Sequence, residues 1–311
     1  MKLAQAVAAY VASKQSLGMR FATEARTLKS FCRALGEVDI DQIEAKRVRT
    51  FLDGNGPVTR FWHRKMGVLR GFYRFAVARG YVTASPLPTT VPQLPPPFIP
   101  YIYSRDEVRR LIAATTTREH RNLSALTCRT LLLLLYATGL RISEALGLDI
   151  ADVDLEAGLL RIRESKFYKT RLVPMGPDLL TVVATYAAHR NKHPPATPDA
   201  PFLLTRRGKR PSRAAAEDAF KHLREIAQVR RDDGSRYQPR LHDLRHSFAL
   251  TCLVRWYRDG ADVQRLLPQL ATYLGHVHIA GTQRYLSMTP ELLREASVRF
   301  ERYAMGGDDH A

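Results

Sequence analysis

At 311 residues the chain is long enough for about two domains, and 45% hydrophobic residues let it build real cores, which excludes a disordered chain. Its 48 Lys and Arg against 30 Asp and Glu leave a net charge of +18, which points to a polyanionic partner over a plain solvated basic surface. The excess is not confined to a tail: residues 1–95 hold 15 basic and 6 acidic side chains and residues 96–311 hold 33 and 24, so both halves are expected to touch the polyanion. Helical patterns open the chain. One runs from Leu3 through Val7, Tyr10 and Val11, and the next starts near Thr23 and carries Leu28, Phe31 and Leu35. A third is expected from Asp41, with Glu44 three places on as a capping box, carrying Ile43, Val48, Phe51 and Leu52. A fourth follows Thr59, spaces Trp62, Met66, Leu69, Phe72, Tyr73 and Ala76 on one face, and ends at Gly80. That aromatic stripe reads as core, which leaves Arg60, Arg64, Lys65, Arg70 and Arg74 to face a duplex. Residues 1–90 therefore form a small all-α domain.

Seven prolines between 86 and 100 stop the helices and make residues 91–103 an extended, semi-rigid linker. The second domain, 104–311, opens on a capping box of Ser104 and Glu107 and continues into a core helix over 124–138 that stops at Gly139. The period then changes. "GLLRIRES" (158–165) and "TRLVPM" (170–175) alternate apolar and polar residues around "KFYK", which predicts a β-hairpin. Helices resume over 177–190, 212–228 and 242–257, with a short strand expected at 202–204. The fold class is mainly α with a small antiparallel β-sheet. Cys32, Cys128 and Cys252 are far apart and lack Cys-x-x-Cys spacing, so neither a disulfide framework nor a zinc site is expected, and the thiols read as buried in a reducing compartment. The N-terminal stretch is too interrupted for a signal peptide, and the apolar run at 131–137 is far below the roughly 20 residues that span a bilayer, so a cytoplasmic protein with no membrane contact is expected.

Four stretches carry chemistry. Arg141 follows the Gly139 turn, where its planar fork could be aimed at a phosphate and locked by Glu144; alone, it could equally be a surface residue opening a helix. The hairpin turn offers Lys166, Lys169 and Arg171, and a Lys there can reach a DNA groove or donate a proton to a leaving oxygen, unless the turn is merely solvated. In "RLHDLRHSFA" (240–249), His242 and Arg245 begin a helix whose N–H groups favour phosphate. His242 and His246 make half a metal site at most, with no Glu to complete His-Glu-x-x-His, so no metal and no cofactor are expected. Finally, His276 precedes Tyr285 by nine positions, with Arg284 directly before the tyrosine. A phenol with pKa about 10 attacks at neutral pH only with a base and cations nearby. In the order Arg…Lys…His-x-x-Arg…His…Tyr, these residue types match the needs of metal-free phosphodiester transesterification.

The motifs "TGLRISEALGL", "ESKFYKTRLVP", "LHDLRHSFA" and "YLGHVHIAGTQRYL" resemble, in order and spacing, those of the tyrosine recombinases, the phage integrase family. The resemblance implies the two-domain tyrosine recombinase architecture, a helical core-binding domain plus an α+β catalytic domain. It implies Arg141 and Arg245 as phosphate clamps, Lys166 as general acid, His242 as the base-like His, His276 at the position filled by His or Trp, Tyr285 as nucleophile and Glu144 as support for the first Arg. Lys169, Arg171 and Arg284 would join the N-terminal arginines in binding DNA. Two features depart from the family pattern. Phe167 follows Lys166 where a Gly is usual, which keeps Lys169 open as the acid. The segment from Gly260 to His276 is longer and contains Pro268, a form similar to transposon-borne integrase-like recombinases. Tyr257, Tyr273 and Tyr303 are rival nucleophiles, the first two expected in the core.

The implied activity is site-specific DNA strand exchange through a 3′-phosphotyrosyl bond and a Holliday junction, without metal or ATP. The implied partners are double-stranded DNA and a homotetramer on two DNA sites, with accessory recombinases left open and a nucleoid-associated location. The C-terminal helix, 289–305, carries Leu292, Leu293, Ala296 and Phe300 on one stripe, which docks on a neighbouring protomer or packs on its own chain. A type IB topoisomerase-like enzyme would share the chemistry without synapsis, and a catalytically silent DNA-binding regulator would share the fold. The recombinase-style helical domain speaks against the first and the full set of catalytic residue types against the second.

Overall fold

Apolar residues three and four apart fold the N-terminal part of the chain into helices around one core. In this computed structural model the chain divides into two units, Met1–Phe98 and Ile99–Ala311. The structure describes residues 1–95, 99–117, 120–163, 170–235, 237–276, 280–283, 285, 292, 294–298 and 301. The first unit consists of α1 (Leu3–Ser16), α2 (Ala22–Leu35), α3 (Ala45–Asp53) and α4 (Arg60–Ala78). The stripe from Trp62 to Ala76 is buried among Leu28, Phe31, Val48 and Leu52. The Thr59 hydroxyl caps α4 by accepting from the Phe61 N–H at 3.2 Å. The third helix starts later than its pattern predicts. Residues Ile40–Gln42 make a single 3-10 turn and α3 begins only at Ala45, because Ile40 and Ile43 are both buried and Ile43 adopts an extended backbone to turn inward.

The second unit is built around α6 (Ala125–Thr138), which packs against α5 (Arg105–Thr117), α8 (Pro177–Arg190), α9 (Arg213–Ile226) and α10 (Leu241–Arg258). A helix contacted on so many sides can be apolar all round, which accounts for its run of leucines. Ser124 caps its start and Gly139, at φ +61°, ends it. The hairpin forms as β2 (Leu159–Ile162) and β3 (Arg171–Pro174), and β1 (Val153–Asp154) extends it to a three-stranded antiparallel sheet in the order β1-β2-β3. Leu160 pairs with Val173 and both point into the core, while Leu172, next along β3 and paired with Arg161, faces solvent. The strand expected at 202–204 is absent. Phe202, Leu203 and Leu204 are buried, but side chains and one loop carbonyl satisfy their backbone: Tyr186 OH accepts from the Leu204 N–H at 3.0 Å, Arg190 Nε donates to Pro201 O at 2.8 Å, and Phe202 N donates to Leu148 O at 2.9 Å.

A second, smaller core joins α10 to α11 (Val263–Leu274), with Leu250, Leu253, Leu267, Leu270 and Leu274 packed around Tyr285 and Leu292. Pro268 is accommodated inside α11. Of the tail stripe, Leu292 is buried in this cluster and Glu295 pairs with Arg258 at 2.8 Å, so this part packs on its own chain. Leu293, Phe300 and Tyr303 lie outside the described residues. No described helix is long and apolar enough to cross a membrane.

Candidate active site

The site begins where α6 ends. Gly139 reverses the chain in a left-handed conformation, and a Cβ there would meet Phe248 Cδ1 at 2.5 Å. Two residues on, Arg141 becomes the N-cap of the short α7 (Ile142–Gly147). Glu144, at the third position of that helix, accepts from the Arg141 N–H at 2.9 Å and from its Nη1 at 2.6 Å. The same carboxylate takes two further bonds from Arg171 on β3, Nη1 at 3.1 Å and Nη2 at 2.8 Å. Burial alone would raise the pKa of Glu144, but the hydrogen bonds and charges of Arg171 and Arg141 outweigh it and hold the carboxyl below its ordinary range. Glu144 is thus a fixed anion between two guanidinium groups.

The C-terminus of α11 supplies the other side. Its last carbonyls lack partners within the helix and carry the negative end of the helix dipole. Three in succession each accept from one arginine: Tyr273 O from Arg171 Nε at 2.8 Å, Leu274 O from Arg245 Nη2, and Gly275 O from Arg141 Nη2 at 2.6 Å. Gly275 adopts φ +65°, and a Cβ on it would stand 2.9 Å from Arg171 Nη1 and 3.2 Å from Arg141 Nη1. Arg245 also donates from Nη1 to Gly139 O at 2.7 Å. It is buried, and burial first, then the charge of Arg141, push its pKa down to about 10, so it remains a cation at pH 7. Three guanidinium groups against one carboxylate leave an excess of positive charge suited to a phosphate diester.

The histidines and the tyrosine meet beside this cluster. His246, one turn after His242, is buried; its Nδ1 lies 3.0 Å from Tyr285 OH. Tyr285 is only 1% exposed, and the His276 ring stacks on it at 6.3 Å between centroids and 24° between planes. His276 Nδ1 meets the buried Thr282 hydroxyl at 2.7 Å. His242 is solvent-exposed on its outer side, yet the protein packed around the rest of the ring, and next Arg245, push its pKa down to about 4. Its imidazole is therefore neutral at pH 7.

Arg141, Glu144, His242, Arg245, His276 and Tyr285 thus come together, whereas Lys166, Lys169 and Arg284 lie outside the described residues. Two residues read as DNA contacts belong elsewhere. Arg171 spends its guanidinium on Glu144 and Tyr273 O and is largely buried. Lys65 is buried, its ammonium donating to Phe51 O and lying over the Phe51 and Phe61 rings, because its place on α4 falls on the inward stripe. Arg60, Arg64, Arg70 and Arg74 are exposed. Of the rival tyrosines, Tyr273 stacks on Phe248 at 5.6 Å and burial pushes its pKa up to about 12, while Tyr257 packs against the smaller core. The sequence weighs His246 only as half of a metal site, although its spacing of four from His242 puts both on one helical face. Nothing in the sequence marked Thr282 or the carbonyls of 273–275. Among the described residues no cluster of three or more His, Cys, Asp or Glu could hold a metal.

Residues 102–291 match the family model described as the phage integrase family. A putative integrase/recombinase of Sinorhizobium fredii, y4rB, is 36% identical over 304 residues, 96% of each chain. The tyrosine recombinase XerA of Pyrococcus furiosus is 34% identical over 205 residues, 66% of this chain and 63% of its own. The fold is similar to that of the Tn1549 transposon integrase solved with transposon right end DNA, with a TM-score of 0.72 at 16% identity, covering 98% of this chain and 100% of that one. It is also similar to a lambda integrase tetramer bound to a Holliday junction, with a TM-score of 0.64 at 18% identity, covering 89% and 78%.

Proposed function

Because the chain belongs to the phage integrase family and is a tyrosine-type site-specific DNA recombinase, we propose that Tyr285 is its nucleophile and that the arginine cluster seats the scissile phosphate. The observation that carries this reading is the grip of consecutive α11 carbonyls on Arg141, Arg171 and Arg245, beside a tyrosine hydrogen-bonded to the helix that holds Arg245. Tyr285 attacks phosphorus, forms a 3′-phosphotyrosyl bond and releases a 5′-hydroxyl. Arg141 and Arg245 neutralise the charge that grows on the non-bridging oxygens, and His276 adds a hydrogen bond to one of them. His242 assists deprotonation of the tyrosine, and Lys166, or Lys169 from the same turn, protonates the leaving oxygen.

The energy of the broken ester is kept in the protein–DNA bond, so the reverse attack by a partner strand needs neither ATP nor a metal ion and proceeds through a Holliday junction. Arg60, Arg64, Arg70 and Arg74 of the first unit contact the phosphates of double-stranded DNA, which makes residues 1–90 the core-binding domain and 104–311 the catalytic one. Four protomers on two DNA sites form the working assembly, which works in the cytoplasm on the nucleoid; the described part of the tail packs on its own chain. Tyr285 is buried, so DNA engagement has to open a path to its oxygen. The test is a nicked suicide duplex with EDTA present. Wild type is expected to form a covalent adduct and Tyr285→Phe none. An adduct in the variant moves the nucleophile elsewhere, and loss of the wild-type adduct in EDTA restores a metal. Recombination between two plasmid-borne sites then separates a recombinase from a relaxing enzyme.

A further inference from the structure

Resting on the assignment of Tyr285 as nucleophile, we propose that His246 is a second catalytic histidine on α10, the group that takes the tyrosine's proton. Its Nδ1 lies 3.0 Å from the phenolic oxygen, within the distance a general base needs. Both side chains are buried, which makes the imidazole a nearer acceptor for the proton than bulk water. Neither of the other two histidines is placed for it in the same way. His276 lies along the face of the Tyr285 ring and its Nδ1 is engaged with Thr282. His242 is a turn away on α10, where its ring meets the edge of His246 at 4.9 Å. It is a weak base there, held down by its surroundings and by Arg245. The backbone beneath His246 is fixed by the packing of α10 on α6 and α11, so the imidazole is presented without a loop to order.

The step balances within the named groups. The Tyr285 O–H bond breaks and its proton moves to His246 Nδ1, giving an imidazolium and a phenolate whose charge the neighbouring Arg245 offsets. The phenolate oxygen bonds to phosphorus as the bond to the 5′-oxygen breaks, and the general acid protonates that oxygen. On rejoining, the incoming 5′-hydroxyl returns its proton to the deprotonated general acid and displaces the phenolate, which recovers its proton from the imidazolium. His242 assists this deprotonation through its contact with the ring of His246 and does not itself hold the tyrosine's proton.

Single-turnover adduct formation on a nicked suicide duplex, at saturating DNA and pH 7, tests this. His246→Ala is expected to slow the adduct step by about 100-fold, the scale of one general base, with DNA affinity unchanged. His246→Asn is expected to be as slow, because an amide oxygen near the Nδ1 position accepts the hydrogen bond but cannot hold the proton. Rates are taken on the DNA-binding fraction of each protein, so a partly misfolded variant does not mimic a slow one. Asn at the wild-type rate would show that the ring only places the hydroxyl, and Ala at or above it would show that the contact restrains the tyrosine; either overturns the proposal. An adduct from Tyr285→Phe would overturn the nucleophile and this proposal together, whereas normal failure of Tyr285→Phe beside an active His246→Ala would overturn this one alone.

Discussion

The two units treat charge in opposite ways. Among the described residues of the first, Lys65 is the one buried charged side chain, and the exposed arginines of α4 stand in water. The second buries Arg190 and Arg245, which donate to carbonyls, Arg231, which donates to a carboxylate, Asp243, which accepts from Arg240, and His246, which meets the Tyr285 hydroxyl. Removing an ion from water costs several kcal/mol unless geometry and hydrogen bonds compensate. A fold carries that cost where charge must be held in a fixed direction, and the first unit has no such need. A surface cation can follow a DNA backbone by moving; a cation that stabilises a phosphorane-like transition state gains by not moving. On the proposed assignment, the difference teaches that the first unit binds by number of charges and the second reacts by their placement.

Variants that exchange these behaviours put the contrast at risk. The largest effect is expected at Arg245→Ala, which removes one clamp and frees the Gly139 and Leu274 carbonyls. Adduct formation should fall by about 10³-fold, the upper range for one lost transition-state donor, read by single-turnover cleavage. Glu144→Gln comes next. It leaves Arg141 and Arg171 without their shared anion, and chemical denaturation should show a loss of about 3 kcal/mol. The sign with pH follows from the depressed carboxyl pKa. Wild-type stability from this group is complete above the ordinary glutamate range and is lost as pH falls below it, through the lower folded value. The glutamine variant should lack that acid-side slope. Lys65→Ala should cost about 1–3 kcal/mol of stability by opening the Phe51 contact while leaving the salt dependence of DNA binding unchanged. Smallest of all, Arg64→Ala should leave stability alone and lower the salt slope of DNA affinity by about 1. If Lys65→Ala moved the salt slope and Arg64→Ala did not, the division of roles would be reversed.

How far this was legible in advance differs along the chain. Helix ends marked by local chemistry were readable: the Ser104–Glu107 pair caps as expected, the fourth helix follows Thr59, and Gly139 stops α6, because each depends on neighbours within one turn. The third helix was misplaced because Asp41 and Glu44 have the spacing of a capping box, but the burial of Ile40 and Ile43 overrode it. The strand at 202–204 failed for a related reason. An apolar run says that side chains are buried and not who takes the backbone, and here Tyr186 and Arg190 do. At the site, the types and order of residues were readable and their partners were not. Arg171 looks like any basic residue after a basic turn until Glu144 and the α11 carbonyls are brought to it from 27 and 102 residues away. His246 was discounted because the metal question it raised was answered in the negative, while its contact to Tyr285 joins positions 39 residues apart.

The three carbonyls at the end of α11 also bear on how the site comes into being. They reach Arg141 across 134 residues, Arg171 across 102 and Arg245 across 29, so apart from the local Arg141–Glu144 pair the cationic pocket is built by contacts distant in sequence. Glu144 joins Arg141 to Arg171, and the end of α11 sets the register of both together with Arg245. Competence to cut therefore depends on long-range docking of α11 onto all three arginines. Drift along this turn, as from any side chain at Gly275, would detune every clamp together, which makes one glycine the timing pin of the whole reaction centre.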